Sequence, residues 1–270
     1  MGLSKNENPE RPLNRLLNVL PEGVAVPSAW LTAYGISPQL VRKYVAGGWL
    51  RPLARGVYAR PAQPVAWQGV VLGLQRLGGC PVHVGGISAL NLQGQAYYLP
   101  LGGERRIHLW SHASDTTALP AWVTAVQLPQ EILLQNARLF DAETGAMGLT
   151  EVLTGLRDWQ LTVASAERAI IEVLSMVDET AASFTHAAEL FEGLTVLRPD
   201  VVQRLLEDCR SIKVRRLFLF LADRQDYAWC RKLQIERIGL GSGKRLVTRG
   251  GRLDKRFLIT VPGEMDAETR

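Results

Sequence analysis

The 270-residue sequence predicts an α+β chain, with an N-terminal winged helix-turn-helix followed by a larger mixed α/β C-terminal domain. Three observations lead to this class. Residues 11–62 hold three short helical periods punctuated by proline and glycine, then two short apolar runs around an Arg-Gly turn. Charge is segregated: residues 11–76 carry eight Lys/Arg against Glu22 alone, 77–200 carry six against fourteen Asp/Glu, and 201–270 carry sixteen against nine. After residue 66 strand-like and helix-like segments alternate, and from residue 200 the pattern is mainly helical.

PLNRLLNVLP (12–21) places Leu13, Leu16, Leu17 and Leu20 at helical spacing and stops at Pro21. SAWLTAY (28–34) reads as a second short helix with Ala29, Trp30 and Ala33 toward a core, closed by the turn residue Gly35. Ser37 caps a third helix, and Pro38 takes its first position, where a missing N–H costs nothing. On that helix Leu40, Val41, Tyr44 and Val45 gather on a core side, and Gln39, Arg42, Lys43 and Ala46 on the opposite side. Two short helices joined by a glycine turn place the second in a DNA major groove, so Ser37, Gln39, Arg42 and Lys43 are candidate DNA contacts. WLRPLARGVYARP (49–61) reads as a wing hairpin whose Arg51, Arg55 and Arg60, with no acidic residue close by in the sequence, would lie against phosphates.

Residues 66–78 predict a helix, CPVHVGG a strand and turn, and ISALNLQG a short helix. ERRIHLWS (104–111) and TAVQLP (124–129) alternate as strands do, and LTVASAERAIIEVLSM reads as a strand running into a helix that starts at Ser165 with Glu167 in its first turn. VVQRLLEDC, SIKVRRLFLFLADR and DYAWCRKLQ predict helices, and RFLITVP a terminal strand. The helix over 211–224 buries Val214, Leu217, Phe218 and Leu221, and leaves Lys213, Arg216, Phe220 and Arg224 as a second stripe that could meet an anionic partner. The expected division is a DNA-binding domain over 10–97, with its core at 11–62 and a helical extension, and a C-terminal domain over 98–270.

GLGSGKRLVTRGG (239–251) has the look of a phosphate-binding loop but lacks its requirements. A Walker A loop has glycine five residues before the Gly-Lys pair and Ser or Thr after the lysine; Ile238 and Arg245 stand there instead. Its glycines fit turns before the last strand, with Gly250 and Gly251 as a hairpin turn, which leaves Lys244, Arg245, Arg249 and Arg252 as a cationic loop. No Glu-x-Lys, Asp-x-Lys or Asp-x-Asp occurs, so a two-metal nuclease or a nucleotidyltransferase is not expected; Asp141-Ala-Glu143 reads as a loop. Cys80-x-x-His83 with His108-x-x-x-His112 has no established zinc-site spacing, and Ser88 lacks the glycine of a nucleophile elbow. The expectation is a protein that is not an enzyme and carries no cofactor and no metal. No run of about 18 apolar residues occurs, the start lacks a signal-peptide core, and three scattered cysteines form no disulfide framework, so the expected location is the cytoplasm without a membrane contact.

The segments LVRKYVAGGWLRPLARGVYARP, VHVGGISALNLQGQAYYLPLG, LTVASAERAIIEVL and GSGKRLVTRGGRLDKRFLITVP, in this order, resemble AbiEi, the antitoxins and transcriptional regulators of AbiE-type (type IV) toxin–antitoxin systems in bacteria. The resemblance implies a repressor whose winged helix binds inverted repeats in double-stranded DNA of its own operon promoter. It also implies a C-terminal domain that neutralises a cognate AbiEii-like nucleotidyltransferase toxin. On this reading Lys213, Arg216, Arg224, Lys244, Arg245, Arg249 and Arg252 form a basic surface for toxin or DNA. Two copies would occupy a palindromic operator, from a monomer or weak dimer in solution. Two alternatives remain open at this stage: a DNA-binding regulator whose C-terminal domain senses a ligand, and a nucleic-acid-processing enzyme with a winged-helix targeting module.

Overall fold

The structure is a computed structural model that describes residues 11–95, 105–112, 117–135, 138–141 and 144–263. The expected domain boundary at 97/98 and Glu143 lie outside them. In chain order the elements are α1 (Pro12–Val19), β1 (Val26–Pro27), α2 (Ser28–Ala33), α3 (Pro38–Ala46), β2 (Arg51–Ala54), β3 (Val57–Ala59), α4 (Trp67–Leu72, continued by a π turn over Gly73–Leu77), β4 (Val82–Val84) and α5 (Gly86–Leu92). There follow β5 (Arg106–Ser111), α6 (Ala121–Ala125), β6 (Glu131–Gln135), β7 (Leu149–Leu153), β8 (Gln160–Ala164), α7 (Ala166–Ser175), α8 (Ala181–Glu192), α9 (Pro199–Asp208), α10 (Ile212–Gln225), β9 (Arg252–Asp254) and β10 (Ile259–Val261). The protein is α+β, and it divides into two compact units.

The first unit takes the chain up to Cys80 together with 119–131 and 153–161. α1 buries Leu16, with Leu20 buried just past its end, and α3 buries Val41 and Tyr44. α2 departs from expectation: it buries Leu31, while Ala29 and Ala33 are exposed and Trp30 stacks on Tyr34 at the surface, ring centroids 4.7 Å apart. A helix of six residues has room for one inward row, and the branched leucine fills it better than alanine does. The strands form a sheet ordered β1-β3-β2, antiparallel throughout, with a bulge between Pro52 and Ala54. This order of three helices, a short strand and a hairpin is a winged helix-turn-helix. α4 lies directly on the backbone leading into β1, because a Cβ at Gly69 would stand 1.8 Å from the Gly23 carbonyl oxygen and one at Gly73 2.0 Å from that of Ala25. The 153–161 segment returns to this unit, where the Arg157 guanidinium donates to the Asn18 and Leu17 carbonyls at 2.5 and 3.0 Å and so satisfies the free C-terminal end of α1.

The second unit holds a five-stranded sheet ordered β6-β5-β4-β8-β7, with β4 antiparallel to β5 and parallel to β8. Its centre is α7, buried along nearly its whole length and packed by α5, α8, α9 and α10. A helix buried on every side must satisfy any charge it carries internally. α7 carries Glu167, Arg168 and Glu172, and all three are paired as described below.

Several local expectations are corrected. TAVQLP is not a strand: Pro120 precedes the helix α6, and the strand is the next segment, EILLQ. DYAWCRKLQ is not a helix, because Asp226 adopts the left-handed conformation (φ 46°) and ends α10, after which only a 3-10 turn over Cys230–Lys232 remains. Trp229 is instead anchored in the core, its Nε1–H donating to the Leu194 carbonyl at 3.1 Å. The last hairpin turns at residues 255–258 rather than at the Gly250 and Gly251 pair. Gly251 serves a different need: a Cβ there would stand 2.4 Å from the Val261 carbonyl oxygen, so only glycine lets the chain pass beside β10. α8 and β7 have no counterpart in the sequence reading.

Candidate nucleic-acid interface

α3 is built by its cap. Ser37 is extended and its Oγ accepts the Leu40 N–H at 3.3 Å, which supplies one of the donors that the helix start leaves free. Burial of Val41 and Tyr44 fixes the rotation of the helix, so Gln39, Arg42, Lys43 and Ala46 point outward and are exposed. Arg42 folds back, its Nε donating to the Pro38 carbonyl at 3.4 Å, a long bond that a stronger acceptor would displace. The side chains of Gln39 and Lys43 have no hydrogen bond or ion pair among the described residues. The resulting face is cationic, short and uncovered.

The wing arginines separate into different environments. Arg55 is exposed at the hairpin turn beside Gly56, whose φ of 73° makes the turn possible, and it has no partner among the described residues. Arg51 is half-buried and donates to the Gln63 carbonyl at 3.2 Å, which holds its side chain without cancelling its charge. Arg60 corrects the expectation that no acid stands near the wing. Its Nε lies 2.8 Å from Glu22 Oε1, and its Nη1 donates to the Leu17 and Leu20 carbonyls at 3.2 and 3.1 Å. The fold brings Glu22, 38 positions away in sequence, onto this guanidinium, and Arg60 joins Arg157 in closing the end of α1. It is a structural arginine.

The cations expected on the second unit also divide. Arg216 is not on the surface: it is 1% exposed and its guanidinium donates to the carbonyls of Leu240, Gly241, Gly243 and Leu258 at 2.8, 3.0, 2.5 and 3.3 Å. Phe220, from the same expected stripe, is buried as well. The glycine-rich loop therefore does cradle a planar ion, but a cation of this protein. Its carbonyls point inward, whereas a phosphate loop presents N–H groups. Gly241 and Gly243 adopt φ values of 61° and 74° that allow this arrangement. Arg215 ties the same loop at the Gly239 carbonyl, at 2.7 Å.

Lys213 is half-buried and donates to the Val177 carbonyl at 2.7 Å. Arg224 lies over the Phe220 ring at 5.9 Å, and Arg249 pairs with Glu179 at 2.7 Å. Lys244 and Arg252 are exposed, and Arg245 is half-buried with its Nη1 on the Lys244 carbonyl. The stripe expected along α10 is thus interrupted by two buried residues, and the cations that face solvent gather in the 244–252 segment.

Inside this unit two of the matching sequence segments, those beginning VHVGG and LTVAS, meet. Glu172, fully buried, accepts from His83 Nε2 at 2.8 Å, Arg168 Nε at 2.8 Å and the Gly86 N–H at 2.9 Å. Arg168 Nη1 donates to the Gly145 and Met147 carbonyls, both at 2.7 Å. Burial, offset in part by Glu172, lowers the His83 pKa. Glu167 accepts from Ser165 Oγ and from the N–H and guanidinium of Arg198, and although burial opposes it these bonds hold its pKa at about 2. These networks hold α7 to the segments packed around it. Among the described residues no group of three or more His, Cys, Asp or Glu is arranged as metal ligands.

Two family models together span most of the chain. A family model described as the transcriptional regulator AbiEi antitoxin N-terminal domain matches residues 10–101, and one described as the transcriptional regulator, AbiEi antitoxin, type IV TA system, matches residues 104–262. The chain belongs to the AbiEi antitoxin family. The crystal structure of the RV2827C protein from Mycobacterium tuberculosis shares the fold, with a TM-score of 0.57 at 16% identity over 93% of this chain and 90% of that one. No curated protein matches the chain.

In this AbiEi-family chain, sequence reading passed over two residues of the first unit. Arg15 of α1 places its guanidinium 5.4 Å from the centre of the Tyr34 ring, in the turn between α2 and α3. Trp49, just after α3, is 48% exposed. The basic character of Arg15 was visible in the sequence, but its place beside the turn depends on packing. No helix among the described residues is long and apolar enough to cross a membrane.

Proposed function

We propose that the protein is an antitoxin and transcriptional repressor that reads inverted repeats in its own promoter through α3 and the wing, and neutralises a cognate nucleotidyltransferase-like toxin through the second unit. Membership of a family of antitoxin regulators supports the general role. The observation that carries the DNA reading is the outward face of α3, where Gln39 and Lys43 are unpartnered and Arg42 is held only by a long backbone bond, beside Arg55 at the wing turn. Ser37 contributes by capping the helix, and Arg51 by a charge that remains uncompensated. The first unit carries this activity and the second unit the antitoxin activity. Lys244, Arg245 and Arg252, with Lys213, Arg224 and Arg249 around them, are the basic groups offered to the toxin or to flanking DNA. The protein acts in the cytoplasm by binding, with no catalytic step and no cofactor, and two copies occupy one operator.

Gel shift with a duplex spanning the promoter tests the reading. The Arg42→Ala/Lys43→Ala protein is expected to bind at least about tenfold more weakly, since each lost phosphate contact also removes about one released counterion from the salt dependence. Unchanged affinity and unchanged salt slope would remove α3 from the interface. Charge reversal at Lys244 and Arg245 is expected to reduce rescue of cells expressing the toxin while leaving promoter binding largely intact.

A further inference from the structure

Trp49 follows α3 through a turn in which Gly48 takes a φ of 71°, and its backbone N–H donates to the Tyr44 carbonyl at 2.8 Å. A single exposed apolar side chain is ordinary on a protein surface. The position of this one is not. A Cβ at Gly47 would stand 3.2 Å from Trp49 Cδ1 and 3.4 Å from its Nε1, so the indole lies over Gly47. Gly47 is four residues beyond Lys43 and eight beyond Gln39, which puts it on the same row of the helix. The indole therefore continues the Gln39–Lys43 row by one further turn. Its ring is about half exposed, and its Nε1–H has no acceptor among the described residues. An indole with an apolar face and a free donor suits an interface that is dry at one end and polar at the other.

We propose that Trp49 is a DNA-backbone contact, with its ring packed against a deoxyribose and its Nε1–H donated to a phosphate oxygen next to the phosphate held by Lys43. This rests on the DNA reading given above. Backbone contacts fix the register of a protein on the duplex without reading sequence. An indole carries no charge and so releases no counterion, which gives Trp49 a signature different from that of its basic neighbours.

Fluorescence anisotropy with the full chain, at several salt concentrations, tests this on a labelled promoter duplex and on a scrambled duplex of equal length. Trp49→Phe, which keeps a ring over Gly47 but loses the donor, is expected to bind both duplexes roughly threefold more weakly, the small net size of a hydrogen bond exchanged against water. Trp49→Ala is expected to lose roughly tenfold on both, with the slope of log affinity against log salt unchanged, whereas Lys43→Ala lowers that slope by about one. Equal thermal midpoints keep the comparison valid, and if Trp49→Ala fails to fold, Trp49→Phe decides. Native affinity in both variants overturns the Trp49 contact and leaves the DNA reading standing. A loss confined to the promoter duplex overturns the backbone assignment in favour of base readout. Failure of the native protein to bind either duplex overturns the DNA reading itself.

Discussion

Arg216 is a buried cation held by backbone carbonyls of the segment that follows its helix. Spacing places it on a basic stripe with Lys213 and Arg224; in the fold it is enclosed, and four carbonyl oxygens converge on it. Removing the guanidinium would leave those acceptors facing a cavity, and buried unsatisfied polar groups cost about 1–3 kcal/mol each. Arg216→Ala is expected to destabilise the protein by about 3 kcal/mol or more, read as a lower urea midpoint. A change below about 0.5 kcal/mol would show that the 239–243 loop does not depend on it. Glu167 offers a pH test at the same scale. Its pKa of about 2 lies below the ordinary 4.5, so its contribution is complete above pH 4.5 and disappears as pH falls through 4.5 toward 2. Glu167→Gln is expected to lose stability at neutral pH and to flatten the pH dependence in that window.

At the scale of elements, α3 and α4 show opposite kinds of sequence information. α3 is set by local signals: a serine cap, a proline at the first helical position, apolar residues on one face, and glycines after its end. Ser37→Ala is expected to cost about 1 kcal/mol by thermal unfolding, and to weaken promoter binding by loosening the first turn of the proposed recognition helix. α4 is set by a contact that no local rule indicates. Gly69 and Gly73 read as weak points in a helix, yet they let its backbone rest on residues 23–25. Gly69→Ala or Gly73→Ala would gain helix propensity of about 1 kcal/mol and lose more than that in displaced packing. The expected net result is destabilisation of the winged-helix unit, and increased stability would refute the close approach. α6, read from sequence as part of a strand, failed for a related reason: five residues are too few for periodicity to decide between helix and strand.

For the whole molecule, titration and charge placement give further expectations. His83, His108 and His112 all belong to the second unit and are all held below the ordinary value of 6.5, in each case mainly by burial. The unfolded chain then binds protons that the folded unit does not, so stability is complete above pH 6.5 and falls as pH drops below it. Calorimetry between about pH 7.5 and about pH 5.5 is expected to show a falling midpoint for this unit, above the window in which Glu167 titrates. A flat midpoint would mean that the histidines titrate in the fold as they do in the unfolded chain. The basic 11–76 and 201–270 segments flanking an acidic middle also predict promoter binding that weakens steeply with salt.

The sequence by itself determined the winged helix-turn-helix, the exposed Gln39, Arg42 and Lys43, the wing with Arg55, and the family. Each of these depends on neighbours within a few positions, on caps, turn glycines and periodicity, or on whole segments kept in order. The tertiary structure alone decided which arginines are free. Arg60 found Glu22, Arg157 found the end of α1, and Arg216 found the carbonyls of its own glycine loop. A guanidinium has the same formal charge in any sequence window. Whether that charge reaches solvent or serves the fold depends on carbonyls and carboxylates that the chain brings together from tens of residues away.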